Sequence, residues 1–190
     1  MATPEAASPI NRPLRVALFG TESTGKSALA ARLAAHFGEP WAPEYVRQFW
    51  DEHDGRIVAA DLAEIARGQI ANEEEAAARA RRVVFCDTEL LTNVLWADLL
   101  FPGHCPPWVR AAAEERCRGY TLYLLCDTDL PWEADPQRAF PDPADRAWLR
   151  ARWRAELEHR GLPFTEVTGE GEARVARAIA AVEARLGRVD

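Results

Sequence analysis

The stretch that decides the fold of this chain reads Gly20-Thr21-Glu22-Ser23-Thr24-Gly25-Lys26-Ser27. It matches the phosphate-binding loop pattern G-x-x-x-x-G-K-[ST]. An apolar run, Leu14–Phe19, comes directly before it, and an apolar stripe of Leu29, Leu33 and Phe37 at helical spacing follows it. Because a strand, a glycine loop and a helix in this order form the context in which the pattern binds phosphate, the sequence predicts a nucleoside triphosphate site.

Lys26 is the single lysine among the 23 lysine and arginine residues of the chain. A compact ammonium fits a loop that wraps closely round a phosphate, and a planar guanidinium does not. We expect Lys26 to bridge phosphate oxygens and the Ser27 hydroxyl to ligate Mg²⁺. The backbone of the loop and of the first helical turn is expected to hold the phosphates of ATP, through Gly20, Thr21, Glu22, Ser23, Thr24, Gly25, Lys26, Ser27 and Ala28.

The whole chain has the length and charge of a mid-sized acidic protein. Its 190 residues predict one folded domain over 14–190 after a short disordered tail over 1–13. A net charge of −7 argues against a nucleic-acid partner, since such proteins usually present a basic face. The one basic run contains Arg146, Arg150, Arg152 and Arg154. We expect it to form either a polyanion site or, more simply, a solvated helix face.

No membrane partner or metal cluster is expected from the remaining composition. No apolar run approaches the roughly 20 residues of a membrane span, and the start lacks the apolar segment of a secretory signal. No C-x-x-C pair occurs among the four cysteines, Cys86, Cys105, Cys117 and Cys126. We therefore expect a cytoplasmic protein, and the sequence leaves its oligomeric state open.

Apolar runs and helical patterns alternate along the rest of the chain. Strands are predicted at Val83–Asp87, Thr121–Asp127 and Phe164–Val167, with a shorter one near Pro40–Glu44. Helical patterns cover Arg56–Arg82, Glu89–Leu100, Trp108–Cys117, Ala144–Arg160 and a last helix with Val175, Ile179, Val182 and Leu186. This alternation predicts a three-layer α/β fold, in which helices cover both faces of a parallel sheet of about five strands. The irregular stretch Asp129–Pro143 is a candidate mobile loop.

Asp87 ends a predicted buried strand at the edge where open α/β sheets bind ligands. An acid in this place holds Mg²⁺ or acts as a base. The alternative is that Asp87 caps the next helix, but Thr88 could serve as the cap and leave Asp87 free.

Two further groups of polar residues are candidates for the site. Glu44, Tyr45 and Arg47 combine an acid, an aromatic ring and a cation, which could grip a polar substrate; an incidental ion pair at a surface helix start is the alternative. Arg138, and after it Arg146, could stabilise charge on the leaving phosphoryl group from a mobile loop, unless both are simply exposed to solvent.

The class of nucleotide follows from the same lysine. A guanine-reading N-K-x-D motif needs a second lysine, so ATP is favoured over GTP. A compact phosphate-loop domain with an arginine-bearing lid loop is the build of a small-molecule kinase.

At this point the motifs resemble a known family, the ribosylnicotinamide kinase domain of NadR-type proteins, from about Arg15 to the C-terminus. The motifs that carry the resemblance are the glycine loop, Pro43-Glu44-Tyr45-x-Arg47, Gly68-Gln69, Cys86-Asp87-Thr88-Glu89-Leu90-Leu91-Thr92 and Pro131-Trp132-x-Ala134-Asp135-x-x-Arg138. The resemblance implies a free-standing P-loop kinase domain that transfers the ATP γ-phosphoryl group to the 5′-hydroxyl of nicotinamide riboside.

The resemblance also implies roles for single residues. Asp87 lies beside the metal and the acceptor hydroxyl, and Glu44 is the second choice for contacting that hydroxyl. Substrate contacts are implied for Glu44, Tyr45, Arg47, Asp87, Trp132 and Asp135, and catalytic roles for Lys26, Asp87, Glu44 and Arg138.

Two positions depart from the family. Pro43 stands where an aromatic residue is typical, and Asn72 or a neighbour stands at a second such position. Trp41, Phe49 or Trp50 would have to replace the stacking face for a cationic pyridinium ring. Two alternatives therefore remain beside the nicotinamide riboside kinase: an ATP-binding sensor with little catalysis, and a P-loop kinase for another nucleoside or nucleotide.

Overall fold

The protein is described by a computed structural model that covers residues 12–187. Its strands are β1 (Leu14–Phe19), β2 (Trp41–Ala42), β3 (Val83–Asp87), β4 (Leu122–Cys126) and β5 (Phe164–Val167). Its helices are α1 (Lys26–Phe37), α2 (Tyr45–Glu52), α3 (Leu62–Arg79), α4 (Leu90–Leu100), α5 (Pro107–Arg116), α6 (Pro143–His159) and α7 (Gly171–Leu186). Short 3₁₀ turns cover Ala59–Asp61 and Cys117–Gly119.

The five strands form one parallel sheet in the order β2-β3-β1-β4-β5. All residues of β3 and β4 are buried, which explains why both segments are almost continuously apolar in the sequence. The three-layer fold with a parallel sheet and helices on both faces is therefore confirmed.

Alternate residues of the strands lie on opposite faces of the sheet and pack into two separate cores. On one face Phe19, Tyr123 and Leu125 pack with Leu149 and Trp153 of α6. On the other face Leu18 and Leu124 pack with residues of α1 and α7, among them Leu33 and Val182. A third cluster joins α3, α4 and α5 and includes Ala66, Leu90, Val94, Ala97 and Val109. This third cluster lies beside the cavity described below.

The parallel sheet brings the candidate residues to one edge. In such a sheet the carboxyl ends of all strands point the same way. β1 ends at the glycine loop and β3 ends at Asp87. Glu44 follows β2, and the irregular stretch follows β4.

The helix predicted over Arg56–Arg82 is shorter than expected. Asp61 Oδ2 accepts the backbone N–H of Val58 (2.8 Å), which closes a turn and keeps Arg56–Val58 outside the helix. The C-terminal end falls at Arg79, where Ala80 takes an extended conformation that leads into β3. The capping prediction at α4 is also wrong in its residue, because Glu89 rather than Thr88 is the cap.

Three other expectations concern the N-terminal tail, membrane-spanning helices and the basic run. Residues 1–11 of the predicted tail lie outside the described residues. Within residues 12–187, no helix has the length and apolar character needed to cross a bilayer. In the basic run, Arg150 pairs with Asp127 and Glu166, and Arg154 pairs with Glu158 and Glu166.

Candidate phosphate and acceptor site

The glycine loop needs its glycines for close packing as well as for conformation. Gly20 (φ 148°) and Gly25 (φ 72°) both have positive φ. A Cβ atom at Gly20 would lie 2.9 Å from the carbonyl oxygen of Cys126, and one at Gly25 would lie 2.8 Å from Leu130 Cδ1. Gly25 is the N-cap of α1 and offers no side chain to the first helical turn. The free N–H groups of that turn are therefore available to an anion.

Lys26 lies folded over this loop. Its Nζ atom donates to the Thr21 carbonyl oxygen (2.6 Å), and Thr24 Oγ1 donates to the same oxygen (2.8 Å). An ammonium carries three donors, so two remain for phosphate oxygens.

Two buried arginines donate hydrogen bonds to the backbone carbonyl oxygens of the glycine loop. Arg174 of α7 donates from Nη2 to the carbonyl oxygens of Thr24 (2.8 Å) and Asp127 (3.3 Å), and from Nη1 to Asp129 (2.9 Å). Arg146 of α6 donates to the carbonyl oxygens of Ser23 (3.2 Å) and Leu130 (3.0 Å). Sequence reasoning assigned Arg146 to the nucleotide and missed Arg174. The signal for Arg174 was its spacing, since it shares a buried face with Ala178 and Val182.

Asp87 is 1% exposed and lies beside Ser27. Burial raises the pKa of the Asp87 carboxyl, while the Lys26 ammonium and the Ser27 hydroxyl favour its charged form. Among residues 12–187, Asp87 Oδ1 is buried without a hydrogen-bond partner. A carboxylate oxygen without a partner beside a hydroxyl is the oxygen donor set that Mg²⁺ takes from proteins. The residues present therefore fit the ion.

Of the two predicted catalytic acids, Glu44 and Asp87, Glu44 lines the cavity described below. Burial, opposed by the Lys26 ammonium and reinforced by the Asp87 charge, raises the pKa of Glu44 to about 7. Glu44 precedes α2 directly, and the first N–H of α2, at Tyr45, donates to Gln69 Oε1 of α3 (3.0 Å).

Gln69 connects the segments that carry both acids. Besides accepting from Tyr45, its Nε2 atom donates to Glu73 Oε1 (3.2 Å) and to the carbonyl oxygen of Thr88 (3.4 Å), the residue after Asp87. A Cβ atom at Gly68 would overlap the Tyr45 ring, so this glycine lets the ring lie against α3. Glu44 and Asp87 are thus placed relative to one helix, which the Gly68-Gln69 pair alone does not reveal.

The irregular stretch, residues 129–142, is called here the lid segment; it contains no helix or strand. Glu22 Oε1 accepts the backbone N–H groups of Ala139 (2.9 Å) and Phe140 (2.6 Å). Ser23 Oγ accepts from the N–H of Glu133 (3.1 Å) and from Arg138 (3.4 Å). The variable positions of the glycine loop therefore hold the lid segment and its arginine.

Further contacts fix the predicted lid residues. The Trp132 ring lies under two guanidinium groups, those of Arg138 (6.0 Å) and Arg146 (5.6 Å). Asp135 Oδ2 accepts from Arg47 of α2 (3.1 Å), which ties the lid segment to the element after Glu44.

A cavity of about 720 Å³ joins the phosphate end to an apolar end. One wall consists of Asn93, Trp96, Ala97 and Leu100, at helical spacing on α4, together with Phe101 directly after the helix. The lining also includes residues from α2, α3, α5 and the segment before α3, among them Trp50, Ile57, Leu62, Ile65 and Val109. Sequence reasoning missed this apolar end, although the spacing on α4 was visible.

The cavity separates the predicted site residues into two sets. Those that line it are Glu22, Ser23, Thr24, Gly25, Lys26, Ser27, Ala28, Glu44, Arg47 and Arg138. Among the described residues, the predicted site residues that do not line the cavity are Gly20, Thr21, Tyr45, Asp87, Trp132, Asp135 and Arg146.

The three aromatic residues that could stack on a pyridinium ring also differ in whether they line the cavity. Trp50 lines the cavity, Phe49 is buried and stacks on His53 (3.7 Å between centroids), and Trp41 packs against the core. The two positions that depart from the family contact each other, because Asn72 donates to the carbonyl oxygen of Pro43 (3.2 Å).

Comparison with known proteins shows the family. The profile of AAA_28, described as an AAA domain, matches residues 15–174. The trifunctional NAD biosynthesis/regulator protein NadR of Escherichia coli (strain K12) is 29% identical over 177 residues, which cover 90% of this chain and 42% of that protein. The chain thus spans less than half the length of this curated relative. The resemblance to NadR-type proteins is confirmed.

Solved structures with the same fold include NadR and a nucleoside kinase. A NadR protein in complex with NR has a TM-score of 0.65 at 22% identity and covers 93% of this chain and 52% of that chain. One with NAD and AMP-PNP has a TM-score of 0.67 at 21% identity, with 93% and 50% covered. Deoxyadenosine kinase from M. mycoides has a TM-score of 0.59 at 12% identity, with 90% and 100% covered.

Proposed function

Since the chain belongs to the AAA_28 family of AAA domains, we propose that it is a P-loop kinase that phosphorylates the 5′-hydroxyl of a nucleoside with ATP and Mg²⁺. The best single acceptor is nicotinamide riboside, which would yield nicotinamide mononucleotide. The observation that carries the proposal is the cavity, because it joins Lys26 and Glu44 to an apolar end that suits a flat base.

The donor half of the proposal rests on the glycine loop. The NadR protein solved with AMP-PNP shares this fold, and the loop here keeps Lys26, Ser27 and the free N–H groups of α1. Asp87 and the Ser27 hydroxyl would hold Mg²⁺, which supplies neutralisation of phosphate charge when it is bound. Arg138, held over the loop by Ser23, would stabilise charge on the γ-phosphoryl group as it leaves ADP.

For the acceptor half we place Glu44 before Asp87 as the base, which reverses the order expected from the sequence. Glu44 lines the cavity, and its pKa of about 7 suits a proton acceptor near neutral pH. The acceptor hydroxyl oxygen forms a bond to the γ-phosphorus, the bond from that phosphorus to the β-γ bridging oxygen breaks, and the hydroxyl proton passes to Glu44.

An acceptor panel tests this function. Purified protein with Mg-ATP is incubated with nicotinamide riboside, deoxyadenosine, other nucleosides and shikimate, and ADP release and phosphorylated product are measured. We expect the highest kcat/KM for nicotinamide riboside. Faster phosphorylation of another acceptor would keep the kinase and reject this substrate. No ADP release, together with ligands that raise Tm, would favour an ATP-binding sensor.

A further inference from the structure

One wall of the cavity is a face of α4 that carries a single amide. The cavity-lining residues of this helix are Asn93, Trp96, Ala97 and Leu100, and Phe101 lines the cavity directly after it. Near Asn93 on α4, Leu91 and Val94 are buried in the cores, and the polar Thr92 is buried as well. An asparagine in such surroundings is unfavourable unless its amide finds partners.

The nitrogen of the Asn93 amide lacks such a partner among residues 12–187. Among residues 12–187, its Nδ2 atom is buried without a hydrogen-bond acceptor. Asn72, in contrast, donates from Nδ2 to the carbonyl oxygen of Pro43 (3.2 Å). Leaving a buried donor unpaired costs about 1–3 kcal/mol. A rotation of the amide about its last torsion exchanges its two ends, so a ligand in the cavity can meet either one.

The position of Asn93 suggests which part of a ligand it meets. It lies in the first turns of α4, shortly after Asp87 and Glu89, and Trp96 lies one turn further along the same wall. Asn93 is therefore at the junction between the phosphate end and the apolar end. A ring joined to a ribose whose hydroxyl faces Glu44 would extend along this wall.

The chemistry of the amide selects its partner. A primary amide offers a donor and an acceptor side by side, and its best match is a neutral group that offers both in return. A carboxamide on an aromatic ring is such a group. A carboxylate offers only acceptors, and burying its charge at the apolar end of the cavity, which Trp50, Trp96 and Phe101 line, is costly.

We propose that Asn93 is a specificity-determining residue that selects acceptors carrying a neutral carboxamide over those carrying a carboxylate on the same ring. This inference rests on the proposed function and adds to it the group by which the base is read.

The test compares nicotinamide riboside with nicotinic acid riboside, which differ only at this group. We expect the wild-type protein to prefer the carboxamide at least about tenfold in kcat/KM, as sites built to hydrogen-bond a substrate reject analogues without the matching group. In Asn93→Leu the preference falls towards unity through a higher KM for nicotinamide riboside, while the KM for ATP stays unchanged. Gln48→Leu removes an exposed amide of α2 outside the cavity lining and retains the preference.

Calorimetric binding of both ribosides separates this inference from the proposed function. Binding of nicotinamide riboside that is tighter than that of the acid, without ADP release, supports Asn93 and rejects the kinase. A wild-type protein that binds neither riboside, or prefers the acid, overturns the inference. So does an Asn93→Leu protein with wild-type Tm and an unchanged preference. Asn93→Ala repeats the comparison if the leucine variant does not fold.

Discussion

The two ends of the cavity are built by different means. At the phosphate end, Arg146 and Arg174 bind loop carbonyl oxygens, and Glu22 and Ser23 bind the lid segment. At the acceptor end, apolar side chains of four helices stand together, and Asn93 has a buried amide nitrogen without a partner in the described chain. One end is fixed by many directional bonds and the other by packing.

This difference separates chemistry from selectivity. Directional bonds to backbone atoms hold the charges within fractions of an ångström, as phosphoryl transfer requires. A packed apolar wall changes shape with each substitution and sets which acceptor fits. Changes at one end should therefore affect kcat, and changes at the other should affect the KM of the acceptor.

The largest effect is expected from Lys26→Met. Removing the ammonium takes away charge stabilisation at the phosphate end, and kcat should fall by about 10³-fold. Tm should change little, because the Lys26 side chain makes a single hydrogen bond within the loop. Arg177→Met, which removes a cation from an exposed position of α7, is the matched control. Steady-state ADP release and a melting curve give both quantities; full activity in Lys26→Met would contradict the assignment.

Glu44→Gln should lower kcat by about 10²-fold, the usual contribution of a general base. The pH profile gives a second test. Burial raises the Glu44 pKa from 4.5 to about 7, so the wild-type base is protonated below that pH. We therefore expect kcat/KM to rise with pH through about 7 and then to level off. A profile that is flat from pH 5.5 to 8 would exclude Glu44 as the base.

At the acceptor end, Ala97→Leu adds carbon atoms to the cavity wall. The KM for the nucleoside should rise about tenfold, because pockets discriminate by this amount for small changes in bulk. The KM for ATP and kcat at saturation should stay close to wild type. Ala151→Leu, at an exposed position of α6, is the control. A change in the KM for ATP of similar size would show that the two ends are not separate.

The smallest effect is expected from Glu22→Ala. Loss of the bonds to Ala139 and Phe140 loosens the lid segment, and kcat should fall about fivefold, since two hydrogen bonds at a net ~0.5 kcal/mol each amount to ~1 kcal/mol. Glu22→Gln retains an oxygen that can accept from both N–H groups and should lose less. Limited proteolysis within residues 129–142 reports the loosening directly. Equal rates for the two variants would instead indicate a role for the Glu22 charge.

The sequence predicted what is local in the chain. The glycine loop, the buried strands and the acids that follow them are encoded in short continuous patterns, and a parallel sheet brings their ends together. The strand at Trp41–Ala42 was expected within Pro40–Glu44, although it is only two residues long.

What the sequence did not predict depends on packing between distant segments. Arg174 reaches Thr24 over 150 positions, and Gln69 reaches Thr88 over 19. Neither contact leaves a pattern beyond a polar residue on a buried face. The start of α3 was placed too early because the turn closed by Asp61 was not recognised. The cap of α4 was misassigned because Glu89 accepts from both Leu91 and Thr92.

Gln69 has a consequence for how this protein could diversify. Gln69 fixes the backbone beside both Glu44 and Asp87. A one-residue insertion between Gly68 and Glu73 would therefore rotate the helix and displace the two acids together. Residues 53–61 precede this anchor and include Ile57 of the cavity wall. Changes of length there can reshape the room for a base while the acids keep their separation. Evolution or design could alter the acceptor through this loop without rebuilding the catalytic machinery.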